Sequence, residues 1–214
     1  MNFGGIPKLT RKTFRQGLQF LSNHDPDLAR VLKDLGSPPM WVRKAGFPTL
    51  IHIILEQQVS LASARSAYDR LLAVTSPLTP SRFLQLDDVM LKTIGFSRQK
   101  AAYGRHLALS IVEGRLDLVA LKAMDDPAAR SELIKARGIG TWTADIYLLM
   151  ALRRPDIWPR GDLALAVAAQ KAKRLPSRPT QDELEDLGAA WRPWRAVAAR
   201  VLWHYYLSNG VQPI

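Results

Sequence analysis

Apolar residues recur at spacings of three and four along nearly the whole chain, and no stretch alternates with period two for long enough to build a sheet. That periodicity confines the sequence to an all-α fold. Leu18, Leu21, Leu28, Val31, Leu32 and Leu35 mark the first helical region, which Gly36-Ser37-Pro38-Pro39 closes. Between Pro48 and Val74, Leu50, Ile51, Ile54, Leu55, Leu61, Ala64, Tyr68, Leu71 and Leu72 predict two helices. Glu56-Gln57-Gln58-Val59-Ser60 forms their junction, with Ser60 placed to cap the second helix. Residues 76–86, rich in Pro and Ser, read as a connector. Further helices are predicted near 87–92, 98–113, 126–136, 141–152, 163–173, 181–188 and 193–208. The first twelve residues, MNFGGIPKLTRK, lack the apolar core of a secretory signal and read as a short flexible leader.

Two hundred and fourteen residues suffice for one domain, or for two small lobes sharing a groove. Thirty Lys and Arg against nineteen Asp and Glu leave a formal charge of +11. Such a surplus favours a polyanionic partner, because clustered cations gain affinity by releasing counterions from phosphates; a basic solvated surface is the plainer reading. There is no Cys, which excludes disulfides, thiolate zinc sites, iron–sulfur clusters and thiol nucleophiles and suits a reducing cytoplasm. No apolar stretch approaches the ~18 residues of a bilayer span, so a soluble intracellular chain is expected.

The most informative segment is Leu133–Ala144, LIKARGIGTWTA. A helix ending near Arg137, a turn at Gly138-Ile139-Gly140 and a helix opening at Thr141 make a hairpin. Glycine suits a turn that leaves backbone N–H groups exposed, and amides at a helix N-terminus attract phosphate. A dinucleotide fingerprint is a weak alternative, since position 143 is Thr and no strand precedes it. A plain packing hairpin is the alternative. Asp162 follows the Pro/Gly loop Arg153–Gly161 and opens an Ala/Leu-rich helix, so it reads as an N-cap. The same carboxylate is what a reaction passing through a sugar oxocarbenium cation requires. Trp142, Tyr147, Trp158, Trp191, Trp194, Trp203, Tyr205 and Tyr206 crowd the second half. Such rings are ordinarily core; together with the other two signals they could wall a pocket for a flipped base. Gln57 and Gln58 read either as a solvated turn or as a plug for the gap such a base leaves, with Ile54, Leu55, Val59 and Leu61 burying the helix ends beside them.

The hairpin followed some twenty residues later by Asp162 resembles the helix-hairpin-helix DNA glycosylase superfamily. ILEQQVSLASA (Ile54–Ala64), GFSRQKAAYGRHLA (Gly95–Ala108) and WRPWRAVAARVLWHYY (Trp191–Tyr206) narrow the likeness to the 3-methyladenine DNA glycosylases of the bacterial inducible alkylation-repair type, in a compact form. The resemblance covers about Asp27 to Leu207. It implies two helical lobes flanking a cleft, approximately 36–155 and 1–35 with 156–214, making one glycosylase unit. It implies a monomeric cytoplasmic enzyme of the bacterial nucleoid that flips alkylated purines out of double-stranded DNA and hydrolyses their N-glycosidic bond. Asp162 matches the catalytic aspartate. Trp142 stands where bifunctional relatives keep a Schiff-base lysine, which implies monofunctional chemistry. Trp142, Trp203 and Ile146 match base-pocket positions, with Ile146 replacing a tyrosine that some relatives have. Gln58, with Gln57 beside it, matches the inserted side chain. Gly138, Ile139, Gly140, Thr141 and Thr143 match the phosphate-facing hairpin. The carbonyls of Ile134, Ala136 and Ile139 match those that hold a structural Na+ or K+; no other cofactor is implied.

The rival reading is a non-catalytic helix-hairpin-helix DNA-binding protein, which predicts a neutral residue at 162. A lyase would need an amine nucleophile, and neither Lys135 nor Lys171 occupies the matching hairpin position.

Overall fold

The computed structural model describes residues 8–208, which form twelve α-helices and no strand. They are α1 (Arg11–His24), α2 (Pro26–Leu35), α3 (Phe47–Glu56), α4 (Leu61–Val74), α5 (Pro80–Leu84), α6 (Asp88–Ile94) and α7 (Arg98–Val112). After a 3₁₀ turn at Ala120–Lys122 come α8 (Asp126–Ile134), α9 (Thr141–Met150), α10 (Leu163–Ala172), α11 (Gln181–Ala189) and α12 (Arg195–Ser208). No helix among the described residues is long and apolar enough to cross a membrane. The described residues divide into a central unit, Arg43–Leu152, and a terminal unit built from residues 8–42 and 153–208.

In the central unit, α3 is apolar on nearly every side, with Phe47, Leu50, Ile51, Ile53, Ile54 and Leu55 all buried. A helix of that kind must be surrounded, and α4, α7 and α9 surround it. The expected connector at 76–86 contains α5. Thr79 caps it by accepting from the Arg82 amide, and Pro80 fixes its first turn. Five residues carry too short a period to be read from sequence. They hold because fully buried Phe83 meets Phe47 and Phe96, each with ring centroids 5.7 Å away.

The terminal unit packs α1, α2, α10 and α11 against α12, whose residues Ala196–Trp203 are all buried. Gly17 lets α1 approach closely, since a Cβ there would meet Val197 and Trp194 at about 3 Å. Asp25 joins the chain's two ends. It caps α2 through the amides of Asp27 and Leu28, and it receives Lys173 Nζ at 2.8 Å and Trp191 Nε1 at 2.8 Å. Burial alone pushes the Asp25 carboxyl up; Lys173, Trp191 and the Leu28 amide outweigh it and hold the group below the usual carboxylate range.

Two expectations change here. The segment read as a leader is structured from its ninth residue: Leu9 is fully buried, and Thr10 forms a capping box that starts α1 at Arg11. Residues 1–7 lie outside the described residues. Residues 36–42 and 153–155 pack with the terminal segments, because Arg200 on α12 donates to the Met40 carbonyl and Ala196 donates to the Pro155 carbonyl.

Candidate functional site

The central unit carries the hairpin. α8 ends at Ile134, Arg137 to Gly140 make the turn, and α9 opens at Thr141. Gly138 has φ +91, and a Cβ there would lie 2.2 Å from Tyr103 Cγ, so both backbone and packing require glycine. Gly140 differs: its φ is ordinary and a Cβ would meet nothing within 4 Å. No side chain caps α9, and the amides of Gly138 and Gly140 take no partner among the described residues. Together they leave a patch of unsatisfied N–H donors at the positive end of a helix. Arg137, also exposed, is fixed by its amide donating to His106 Nδ1 at 3.1 Å.

The junction between α3 and α4 abuts this turn. Gln57 Nε2 donates to the Gly138 carbonyl and to Thr143 Oγ1, both at 2.9 Å. Gln57 therefore clamps the hairpin from within. Thr143, expected to face DNA, is 2% exposed because position 143 lies on the inward side of α9 and its hydroxyl receives Gln57. Ile139 likewise turns its side chain inward, leaving only its backbone to act. Thr141 is exposed. Gln58 is exposed at φ +55, a left-handed conformation that non-glycine residues seldom adopt. Its neighbours hold the junction: Lys100 Nζ donates to the Leu55 carbonyl at 2.7 Å, and Arg43 forms a bidentate pair with Glu56. Val59 and Leu61 do not bury the helix ends as expected; they are 45% and 55% exposed beside Gln58. The turn that lifts Gln58 out of the protein lifts them too.

The carbonyls of Ile134 and Ile139 accept no hydrogen bond among the described residues, and that of Ala136 accepts only the Ile139 amide. Trp142 and Ile146 stand one turn apart on α9, the first half-buried and the second buried. Tyr147 is core, its hydroxyl accepting from the Gly46 amide.

The terminal unit carries Asp162. It is the N-cap of α10, with Oδ1 accepting from the Leu165 amide at 2.9 Å and from Trp203 Nε1 at 3.3 Å. The residue is 8% exposed and Trp203 equally so. Tyr206 lies close enough that burial and then the Asp162 charge push its phenol up. Trp158 and Trp191 are core, 5.4 Å apart edge to face. Sequence reasoning missed Trp41, which meets the Trp203 ring edge-on, with centroids 6.5 Å apart at 72°. The only sequence signal was a large aromatic after Pro38-Pro39 in a segment otherwise read as a helix stop.

The chain as a whole has counterparts among known proteins. Residues 51–193 match the HhH-GPD superfamily of base excision DNA repair proteins. DNA-3-methyladenine glycosylase 1 of Schizosaccharomyces pombe is 26% identical over 193 residues, covering 86% of this chain and 83% of that protein. The structure of a DNA-3-methyladenine glycosidase from Bacillus halodurans superimposes with a TM-score of 0.76 at 26% identity, over 91% of this chain and 89% of that one. A Schizosaccharomyces pombe 3-methyladenine DNA glycosylase in complex with abasic DNA shares the fold with a TM-score of 0.82 at 24% identity, over 88% of this chain and 95% of that one. The chain belongs to the HhH-GPD superfamily of base excision DNA repair proteins.

Proposed function

We propose that this chain is a monofunctional DNA glycosylase that binds double-stranded DNA as a monomer and hydrolyses the N-glycosidic bond of alkylated purines of the 3-methyladenine type. The observation that carries the reading is Asp162, a nearly buried carboxylate whose Oδ1 is held by the Leu165 amide and the Trp203 indole. The names of the relatives support the substrate class, and the absence of cysteine suits work in a reducing compartment.

N-alkylated purines such as 3-methyladenine carry positive charge and leave readily, so little acid catalysis is needed. The difficult charge is the cation that develops on the sugar. Asp162 stabilises that cation and aligns water, and because its donors fix it beforehand it need not reorganise during reaction. Trp203 serves twice, orienting the carboxylate through Nε1 and offering an electron-rich ring to the base. Trp142 in place of a lysine leaves no amine there for a Schiff base, so borohydride trapping should fail.

The hairpin supplies grip without sequence preference. The amides at Gly138, Gly140 and Thr141 donate to phosphate, while Gln58 enters the stack. The uncommitted carbonyls at Ile134 and Ile139, with that of Ala136, fit a monovalent cation such as Na+ or K+, which would tie the end of α8 to the turn and add positive charge toward phosphate.

Base release from a panel of defined-lesion duplexes tests the proposal. Asp162→Asn should lose at least 10²–10³-fold in rate and keep DNA affinity within several-fold, because an amide still caps α10. Comparable turnover by the variant would remove Asp162 from the chemistry.

A further inference from the structure

We propose that Trp41 is a base-contacting residue that selects cationic lesions, an inference resting on the glycosylase reading above. Four observations lead to it. First, Trp41 has φ +41, a left-handed conformation in which a bulky L-residue is a genuine outlier. Strain of this kind persists only where the surroundings over-determine it.

Second, the surroundings do so here. Arg200 is fully buried on α12, donates Nε to the Met40 carbonyl at 2.6 Å and donates Nη1 to the Ala196 carbonyl at 2.7 Å. Burial pulls its guanidinium down to about 10. A desolvated cation on the carbonyl preceding Trp41 is a costly way to hold a loop.

Third, this anchoring does not bury the indole. Trp158 and Trp191 are 2% and 1% exposed, whereas Trp41 stays half-buried and its neighbour Val42 is 50% exposed. Core packing therefore does not account for the strained backbone.

Fourth, the ring stands 6.5 Å from Trp203 at 72°, and Trp203 Nε1 reaches Asp162 Oδ1. The carboxylate and the two indoles thus form one sequence of contacts. Two rings near a right angle make a corner in which a flat base can lie on one face and meet the edge of the other. An indole face attracts a cation more strongly than a neutral ring of the same shape. Trp41 would accordingly favour N3- or N7-methylated purines, which are charged, over hypoxanthine, which is not.

The test compares wild type, Trp41→Leu and Trp41→Phe in single-turnover excision of 7-methylguanine and hypoxanthine from the same duplex sequence. Trp41→Leu should lose about tenfold on the cationic lesion, the scale a desolvated cation–ring contact supports, and under threefold on hypoxanthine. Trp41→Phe should retain most of the discrimination. Equal loss on both lesions would make Trp41 a buttress of Trp203 and overturn the proposal, as would an unchanged Trp41→Leu. Should the leucine variant melt below assay temperature, a selective two- to threefold loss in Trp41→Phe upholds the proposal and its absence overturns it. Failure of the wild-type protein to release any alkylated base would instead overturn the glycosylase reading itself.

Discussion

Gln57 and Gln58 are chemically identical neighbours that the structure puts to opposite uses. One is folded inward, its amide shared between Gly138 and Thr143; the other is turned outward on a left-handed backbone. Sequence singled out the pair but not the division, because the sign of φ at the junction decides it and no residue type there demands a positive value. Thr143 shows the same limit: its side chain lies on the inward face of α9, where Gln57 reaches it, and the residue type alone does not tell which face that is. The strain at Gln58 yields a prediction that separates stability from activity. Gln58→Gly should leave stability unchanged or raise it by up to about 1 kcal/mol, since glycine adopts φ +55 without the Cβ penalty. Gln58→Gly and Gln58→Ala should both lower excision most from well-paired duplexes and least from mismatched or single-stranded lesions, where extrusion is already easy. Thermal melts and excision rates across those contexts measure both arms. A uniform loss, or none, would return Gln58 to the surface.

Among elements, the hairpin was the most legible, and its glycines show why legibility has a limit. The α8–turn–α9 segment follows from G-I-G, and eleven of the twelve helices fall in the expected helical regions, α1 and α2 within a single one, with Ser and Thr caps at starts such as Ser60, Ser97 and Thr180. α5 and the 3₁₀ turn at 120–122 were not legible, being shorter than two helical turns. Nor does sequence distinguish Gly138, which Tyr103 makes obligatory, from Gly140, which faces open space. That contrast makes Gly140 the better probe. Gly140→Ala should melt within a few degrees of wild type yet weaken binding to damaged and undamaged duplexes alike, since phosphate contacts position the protein without reading bases. Gly138→Ala should destabilise the central unit outright, by several kcal/mol through clash and positive φ. Fluorescence anisotropy on both duplexes decides the first; a loss confined to damaged DNA would move Gly140 into the base pocket.

At the scale of the whole molecule the +11 surplus was legible from composition, but its meaning depends on where the charges are engaged. Of the nine Lys and Arg between positions 135 and 178, Lys135 pairs with Glu132, Arg160 with Glu185, and Lys173 with Asp25 and Asp27. Arg137, Lys171, Arg174 and Arg178 are exposed and form no ion pair among the described residues. Paired cations release few counterions on binding, so the effective count is nearer these four than nine. Each phosphate neutralised on B-form DNA contributes about −0.9 to the slope of log affinity against log salt. Undamaged duplex should therefore bind with a slope of about −4, losing on the order of 10²-fold between 50 and 200 mM monovalent salt. Asp162→Asn should keep that slope, because a single carboxylate serving the reacting sugar takes no part in counterion release. Arg137→Gln should reduce it by about one unit, Arg137 being the exposed cation whose backbone His106 fixes inside the hairpin. Titrations of wild type and both variants over that salt range supply the comparison. A slope near zero would mean that the basic surplus keeps the protein soluble and contributes nothing to DNA affinity.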